Sequence, residues 1–436
     1  MLKTAPAIRV LYSYPHKLGA DRICSTAWHQ VESLAKAGAD VLVFPGVLHR
    51  TLPESVKVRP TLAWGKLRLP YRLTGRIRAL TLHDHIVAHR LKKLAGQIDI
   101  VHVWPVAALE TIKTANRLDI PVVLERPNAN TRFAYETVQK ECARLGIVLP
   151  RGHEYEFNTQ ILSKEEEEYR EAFRILCPSD FVLKTFLDRG YPRRKLLRHF
   201  YGVDAHLFHP IDKATVPRKG LTMLFVGVCA VRKGVHFALE AWLRSPAHKE
   251  GKFLIAGEFL PAYRDKLAPM LADPSVQVLG HRTDVADLMG NADILVLPSI
   301  EEGSALVTSE ARASGCVLVV SDAAGAICTH MQNALVHQAG DINALAEHIT
   351  LLQEDRPLLA RLRSESLRTV PDITWDSAGV RLLQLYRETL ELFSRGGGKS
   401  VLESVVAPVP SVQMPPASLR DALPYMPCSN MMNRRG

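Results

Sequence analysis

The sequence lacks the features that mark exported and membrane-spanning proteins. It contains no run of about 18 apolar residues, so no transmembrane helix is predicted. The N-terminal segment lacks the apolar centre of a signal peptide and leads quickly into a predicted strand. The seven cysteines are scattered without any CxxC pair, which argues against a zinc site and against a disulfide framework. These absences predict a cytoplasmic protein with reduced thiols.

Acidic residues are outnumbered by basic ones. The 436 residues include 55 Lys and Arg against 45 Asp and Glu, which gives a formal net charge of +10. Such an excess favours an anionic partner, whether nucleic acid, a membrane surface or a phosphorylated substrate. No recognisable nucleic-acid-binding module accompanies the charge, so we do not expect a nucleic-acid partner.

Predicted strands and helices alternate along both halves of the chain, a pattern typical of parallel α/β sheets. The length predicts about two domains. We place an N-terminal Rossmann-like domain at 1–204, a linker at 205–220 and a second Rossmann-like domain at 221–374. An amphipathic helix is predicted at 375–393. The aperiodic, proline-rich remainder at 394–436 is predicted to be disordered.

The functional prediction depends on the segment 293–322. An apolar run at 294–297 predicts a strand buried on both faces, and Pro298 ends it because proline cannot donate to a sheet ladder. Gly303 allows a tight bend, and a helix is predicted to start at Thr308. Loops at this end of a parallel strand form the ligand crevice of open α/β sheets.

Two carboxylates lie in this segment, Glu302 in the loop and Glu310 in the first turns of the helix. Backbone N–H groups at a helix N-terminus suit a phosphate, whereas carboxylates suit hydroxyl groups on either side of it. This pattern describes a nucleotide-diphosphate sugar, with a ribose at one end and a hexose at the other. In the alternative interpretation, Glu302 is a solvated loop residue and Glu310 an ordinary helix-start acid. The candidate phosphate-binding residues are Gly303, Ser304, Ala305, Leu306 and Val307.

A second candidate group lies at the start of the second half. Arg232 and Lys233 directly precede a glycine at the N-terminus of a predicted helix. Two cations added to a helix dipole suit a diphosphate, although the tripeptide alone is a weak signal. Gly227 ends the preceding strand, and Gly280 with His281 forms the loop after another predicted strand.

The string 298–315 resembles the signature of retaining glycosyltransferases of family four. That signature has a Ser, then Glu-Gly-x-Gly-Leu, then Glu-Ala and Gly, and Ala305 stands here at its second glycine. The string at 202–210 is similar to the family's interdomain boundary, and the Gly-Asp pair at 340–341 is similar to a closing Gly-Asp before another helix. The matching positions are Ser299, Glu302, Gly303, Leu306, Glu310, Ala311 and Gly315.

This resemblance implies the GT-B fold, in which two Rossmann-like domains face each other across a cleft and the last helix returns to the first domain. It implies that Glu310 binds the ribose and that Glu302 faces the donor sugar. The loop at Gly280 and His281 would hold the nucleotide base, largely through backbone groups. Gly19, in the first strand-to-helix loop, is a further candidate, with a simple turn as its alternative.

The sequence departs from the family pattern at two places. Lys233 matches the family's phosphate-binding lysine, but Val228 stands at the arginine position, and we expect Arg232 to compensate. Family members often carry a histidine in the second loop of the first domain. Here Arg126 and Asn128 occupy that loop and are the candidates for the acceptor side.

Two charged segments have no assigned catalytic role. In 57–93, basic residues alternate with apolar ones and acids are nearly absent, which suits an amphipathic surface on anionic lipid. A connecting helix with a solvated basic face is the equal alternative. The acid run 165–168 is predicted to be a solvated helix face. His102 is expected to be a packed residue rather than a catalyst.

Together these features predict a retaining glycosyltransferase that moves a sugar from a nucleotide-diphosphate donor to a hydroxyl group of a saccharide or lipid-linked acceptor. Its location would be cytoplasmic, with peripheral contact at the inner face of the membrane. Arg232, Lys233 and Glu302 are the expected catalytic residues. No cofactor and no divalent metal are expected, because no Asp-x-Asp motif lies at a strand end. An epimerase or phosphorylase on the same architecture, and a non-catalytic nucleotide-sugar-binding paralog, remain as alternatives.

Overall fold

The structure is a computed structural model, and it describes residues 6–64, 67–68, 75–211 and 220–397. Outside these ranges lie positions 212–219 of the linker predicted at 205–220, positions 398–436 of the tail predicted at 394–436, and positions 65–66 and 69–74 of the basic segment.

The first domain is built on a parallel sheet. Its strands are β1 Arg9–Leu18, β2 Asp40–Leu48, β3 Lys57–Val58, β4 Ala63–Trp64, β5 Leu67–Arg68, β6 Ile100–Val103, β7 Val122–Glu125, β8 Arg174–Cys177 and β9 Leu196–Arg198. The sheet order is β3-β2-β1-β6-β7-β8-β9, and β4 and β5 form a separate antiparallel pair. Every residue of β6 and β7 is buried, as expected for strands covered by helices on both faces.

Helices cover both faces of this sheet. They are α1 Ile23–Lys36, α2 Arg76–Lys93, α3 Leu109–Arg117, α4 Thr131–Leu145, α5 Thr159–Glu171 and α6 Asp180–Leu187, with a 3-10 turn at Arg193–Lys195. Side chains that accept backbone N–H groups fix three of the helix starts, Asn130 before α4, Asn158 before α5 and Ser179 before α6.

The second domain repeats this architecture. Its strands are β10 Thr222–Val226, β11 Lys252–Ala256, β12 Val276–Gly280, β13 Ile294–Leu297, β14 Val317–Ser321 and β15 Ala334–His337. They form a parallel sheet in the order β12-β11-β10-β13-β14-β15. Its helices are α7 Val235–Arg244, α8 Pro261–Leu271, α9 Val285–Asn291, α10 Leu306–Ala313, α11 Ile342–Glu354 and α12 Arg356–Arg368. Two helix-covered parallel sheets confirm the predicted α/β class.

Shorter helical turns complete the second domain. They lie at Val231–Lys233, Pro246–Lys249, Asp322–Ala324 and Val370–Ile373. The chain then enters α13, Trp375–Leu392, and a short π-helical turn at Phe393–Gly397. No helix in the described ranges is long and apolar enough to cross a bilayer.

The first strand is long and irregular. Residues 15–18 continue β1 as far as Leu18. They do so because β2 also runs on to Leu48 and pairs with them, after a register shift between Tyr14 and Lys17. Such a shift lets an irregular strand keep its partner.

The acid run 165–168 is not a solvated face, so that prediction is wrong. Glu165 and Glu168 are buried. The Glu168 carboxylate accepts the backbone N–H groups of Val106 at 2.7 Å and Ala108 at 3.0 Å. Burial raises the pKa of Glu168 to about 8. A charge run in sequence does not reveal that every third or fourth residue of a helix faces inward.

Two helices join the two domains. α13 packs in the core of the first domain, where the hydroxyl of Tyr386 lies 2.6 Å from Nδ1 of the buried His102. α4 belongs to the first domain, yet it packs apolar side chains into the core of the second. At the same interface, Nε2 of His236 lies 2.8 Å from the carboxylate of Glu141. The domains are therefore in direct contact rather than only tethered.

Candidate functional site

The predicted site residues meet at the carboxyl edge of the second sheet. In the order β12-β11-β10-β13, the direction of strand addition reverses between β10 and β13. Ligands of open α/β sheets bind at such a reversal. Gly227 and the pair Arg232 and Lys233 follow β10, while the loop 298–305 follows β13. Gly280 and the exposed His281 lie two strands away, at the end of β12.

Gly234 holds the two loops against each other. Its φ is +70°, and a Cβ there would lie 2.1 Å from the carbonyl oxygen of Pro298. Only glycine fits such a left-handed position at this separation. Next to it, the N–H of Ile300 donates to the carbonyl oxygen of Arg232 at 2.9 Å. The loop that carries the cations and the loop that carries the glutamates are thus fixed as one unit.

Glu302 faces both cations. Its carboxylate lies 2.7 Å from the guanidinium of Arg232 and also contacts the ammonium of Lys233. Burial opposes ionisation of Glu302, but the two cations more than offset it and hold its pKa below the ordinary value. Burial lowers the pKa of Lys233, against the influence of Glu302. The sequence had assigned these side chains to different parts of the ligand, whereas the fold brings them into contact.

Glu301 is a member of the site that the sequence prediction missed. It is fully buried, and its carboxylate lies 3.7 Å from Arg232. It accepts the N–H of Ala129 at 3.0 Å and the hydroxyl of Tyr155 at 2.7 Å, both from the first domain. The signal in the sequence was the first acid of the Glu-Glu pair, which does not by itself indicate a buried interdomain contact.

Glu310 lies in α10, one residue after the buried stretch Thr308–Ser309. It is half-buried, and burial raises its pKa to about 7. Within the described ranges, its carboxyl group has no ion pair or hydrogen bond to another side chain. Glu302 and Glu310 therefore differ sharply in electrostatic state, since only Glu302 is held ionised by neighbouring cations.

Gly303 lies in close backbone contact with the first domain. A Cβ on Gly303 would lie 1.4 Å from the carbonyl oxygen of Pro127, so no other residue fits without a backbone shift. The hydroxyl of Ser179, at the start of α6, donates to the carbonyl oxygen of Gly303 at 2.5 Å. Ser304 and Ala305 follow, and α10 starts with Leu306 and Val307.

The predicted acceptor-side residues have different surroundings. The Arg126 guanidinium is buried, donates to the carbonyl oxygen of Ala129 at 2.9 Å and pairs with Glu165 at 3.0 Å. These bonds shape the loop 126–130, and a direct role for Arg126 in acceptor binding stays a prediction. The Asn128 amide is half-buried and lies 3.4 Å from the Tyr155 hydroxyl, beside the site.

Two other residues of the first domain were singled out in the sequence. Gly19 follows β1, and its N–H donates to the carbonyl oxygen of Cys24 at 3.0 Å. His102 is fully buried, and burial lowers its pKa to about 4. It lies 3.5 Å from Glu125. Its burial agrees with the prediction of a packed residue.

The side chains near the site define what it can hold. Within the described ranges, no group of three His, Cys, Asp or Glu side chains has a geometry that could hold a metal ion. Arg232 and Lys233 are the two cations at this edge of the sheet that could exchange their contacts with Glu302 for contacts with an anionic ligand. Together with the start of α10, they make the edge of the second sheet suited to a diphosphate.

Solved structures place this fold in a known class. Sucrose-phosphate synthase from Thermosynechococcus elongatus superposes with a TM-score of 0.64 at 18% identity, over 89% of this chain and all of that one. HepE from Anabaena, solved in complex with UDP and glucose, gives 0.58 at 16% identity, over 88% and 99%. WaaG, named as a glycosyltransferase of lipopolysaccharide biosynthesis, gives 0.59 at 14%, over 86% and 99%. The predicted GT-B fold is confirmed.

The sequence comparisons match the second domain to a family model. Residues 220–355 match the model described as Glycosyl transferases group 1, which confirms the predicted resemblance of this domain to glycosyltransferases. An N-acetylgalactosaminyltransferase from Campylobacter jejuni, named as acting on a diphospho-undecaprenol-linked sugar, is 32% identical over 119 residues, 27% of this chain and 32% of that protein. A D-inositol 3-phosphate glycosyltransferase from Catenulispora acidiphila is 28% identical over 214 residues, 44% and 51% respectively. The chain thus spans about a third to a half of these relatives.

The contact at Gly303 makes a testable prediction. Because a Cβ would meet the backbone of the first domain, we expect Gly303→Ala to destabilise the protein by about 1–3 kcal/mol, the usual range for overpacking. Urea unfolding measures the change. Ser304→Ala, at the next position, is the control and should leave the unfolding midpoint in place. An unchanged midpoint for Gly303→Ala would contradict the close approach of the two loops.

Proposed function

We propose that this chain is a retaining glycosyltransferase that moves a sugar from a nucleotide-diphosphate donor to a hydroxyl group of an acceptor. One observation carries the proposal. Glu302 lies against Arg232 and Lys233 at the strand-order reversal of the second sheet, with Glu310 eight positions further on. This is the segment that matches the glycosyltransferase family model.

The charges of the site explain how a donor would be held. Arg232 and Lys233 balance Glu301 and Glu302, so the cluster as described has no net charge. A diphosphate competes with Glu302 for the same two cations. Binding would therefore weaken the ion pairs of Glu302 and direct its carboxylate to hydroxyl groups of the donor sugar. Glu310, which has no cation beside it among the residues that the structure describes, is assigned to the ribose hydroxyls.

The proposed reaction takes place on one face of the sugar. The acceptor oxygen forms a bond to the anomeric carbon while the bond from that carbon to the phosphate oxygen breaks. The leaving phosphate oxygen takes the acceptor's proton, so the atoms and charges balance. Arg232 and Lys233 stabilise the negative charge that grows on the diphosphate. The proposal assigns this stabilisation to side chains, without a divalent metal or other cofactor.

The acceptor is proposed to be a saccharide, in particular one linked to a lipid. α2 favours this, because its exposed face is basic and carries two exposed apolar residues, Ile77 and Leu82. The acid in this helix, Asp84, is buried and accepts the N–H groups of Glu110 and Thr111, both at 2.9 Å. The exposed cationic residues of α2 are Arg76, Arg78, Arg90, Lys92 and Lys93.

The same face supports a peripheral location at an anionic membrane. Basic and apolar side chains together on one helix face bind the interface of an anionic bilayer. The charge of Arg76, at the N-terminal end of α2, helps to lower the pKa of His16 in β1 and opposes the rise in the pKa of Tyr135 in α4. A lipid-linked acceptor held at this face would have its sugar near the site.

The proposal is tested by finding the donor. A panel of nucleotide sugars is screened by thermal shift, because a ligand that binds only the folded chain raises its melting point. The donor found is then incubated with saccharide and lipid-linked acceptors, and NMR of the product shows whether the anomeric configuration is retained. Donor turnover without any acceptor would favour the epimerase or phosphorylase, and binding without any turnover the non-catalytic paralog.

The pKa of Glu310 predicts a pH dependence of donor binding. A carboxyl group with a pKa of about 7 is mostly protonated at pH 6 and mostly ionised at pH 8. The ionised form accepts hydrogen bonds from both ribose hydroxyls, so affinity should rise about tenfold over this interval. Calorimetry with an intact nucleotide sugar measures it, since its phosphates do not titrate in this range. Glu310→Gln should remove the dependence, and an equal slope in that variant would exclude the ribose role.

The basic face of α2 predicts membrane binding. The full chain should float with liposomes that contain phosphatidylglycerol and remain behind with pure phosphatidylcholine. At about 1 kcal/mol per cation, the triple variant Arg90→Glu, Lys92→Glu, Lys93→Glu should bind at least about 100-fold more weakly. The matched control makes the same charge change on the second domain, Lys249→Glu, Lys252→Glu, Lys266→Glu. Equal flotation of the two variants would contradict a specific membrane face.

A further inference from the structure

Two adjacent glutamates of the site take their hydrogen-bond partners from different domains. Glu302 takes its partners, Arg232 and Lys233, from its own domain. Glu301 takes the N–H of Ala129 and the hydroxyl of Tyr155 from the first domain. A movement of the first domain is therefore transmitted to the dipeptide that carries the donor-facing carboxylate.

Tyr155 contacts the site at two points. Its hydroxyl donates to Glu301 at 2.7 Å, and the Arg232 guanidinium lies over its ring, 5.1 Å from the centroid. Burial raises the pKa of Tyr155 well above the ordinary value, so the phenol keeps its proton and acts as a donor. Cations over aromatic rings are stabilised by the ring quadrupole. Tyr155 thus fixes Arg232 through its face and Glu301 through its hydroxyl.

Arg232 in turn connects the same groups. Its guanidinium donates to the carbonyl oxygen of Glu301 at 3.0 Å and lies 2.7 Å from the carboxylate of Glu302. With the ring of Tyr155 on another side, the guanidinium has little freedom to rotate. A cation that is already held in position stabilises the negative charge of a transition state without the energetic cost of moving the side chain during the reaction.

We infer that Tyr155 and Glu301 form an interdomain latch, which sets the position of Arg232 for the chemical step only when the two domains are in contact. The inference rests on the proposed function, because it assigns a purpose to the position of Arg232. Tyr155 and Glu301 are positioning residues in it, since they act through Arg232 and Glu302. Sugar transfer would then be coupled to domain closure, while donor binding, which depends on the cations themselves, would not.

The latch is tested with substitutions that remove single contacts. Tyr155→Phe removes the hydroxyl and keeps the ring over Arg232, and Glu301→Gln removes the charge and keeps the shape. Their matched controls are Tyr191→Phe, a mostly buried tyrosine elsewhere in the first domain, and Glu154→Gln, an exposed acid beside Tyr155. Each variant is measured for amide exchange, donor affinity and turnover.

Amide hydrogen exchange reports the latch without any turnover. The N–H of Ala129 donates to one oxygen of Glu301, and the Tyr155 hydroxyl donates to the other. Tyr155→Phe removes the second bond and loosens the carboxylate, so peptides that span 127–130 should exchange about fivefold faster. Tyr191→Phe should leave them unchanged. Equal exchange in both variants would overturn the latch, even if no donor were ever found and the proposed function had failed.

Kinetics test the link to chemistry. In Tyr155→Phe, kcat should fall about tenfold, while the donor dissociation constant changes less than about twofold. In Glu301→Gln, kcat should fall by a similar factor. The double variant should lose little more kcat than either single one, because both changes weaken the same contact. Additive losses, or a loss confined to donor affinity, would overturn the positioning role. Turnover equal to that of the two control variants would overturn it as well.

Discussion

The neutralisation of buried charge where the domains meet is the constraint on which the site depends. Arg232 and Lys233 are mostly buried and face the carboxylates of Glu301 and Glu302. A buried charge without a partner is strongly unfavourable. The loop after β10 and the loop after β13 therefore hold their positions only together, and Gly234 permits the close backbone contact between them.

The sheet topology makes this pairing possible. β10 and β13 are neighbours although β11, β12 and three helices separate them along the chain. Their carboxyl ends meet where the strand order reverses, and two loops can diverge there to form a crevice. The first domain closes the crevice from above with the loop 126–130 and α4, so the contacts of Gly303 and Glu301 extend the site across the domain boundary.

Features that depend on local pattern were predictable. A short apolar run in the sequence indicates a buried strand. β13 was predicted at its observed bounds from such a run, which Pro298 ends. The helix that follows starts at Leu306, two residues before the predicted start, because helix ends are the least defined part of a pattern. The cations Arg232 and Lys233 were also identified, since a glycine before an amphipathic helix indicates a helix N-terminus next to a strand.

The sequence by itself determined the two α/β domains, the loops at the edge of the second sheet and the acids and cations that those loops carry. Only the tertiary structure decided which of these groups touch. Glu301 looks no different in sequence from Glu302, but Ala129 and Tyr155, which are 172 and 146 residues away along the chain, donate hydrogen bonds to it. Glu165 and Glu168 were predicted to belong to a solvated helix face, but they are buried. The helix directs Glu165 towards Arg126 and Glu168 towards the loop after β6. Periodicity reports the neighbours within one element, whereas the partner of a buried charge is set by how distant elements pack.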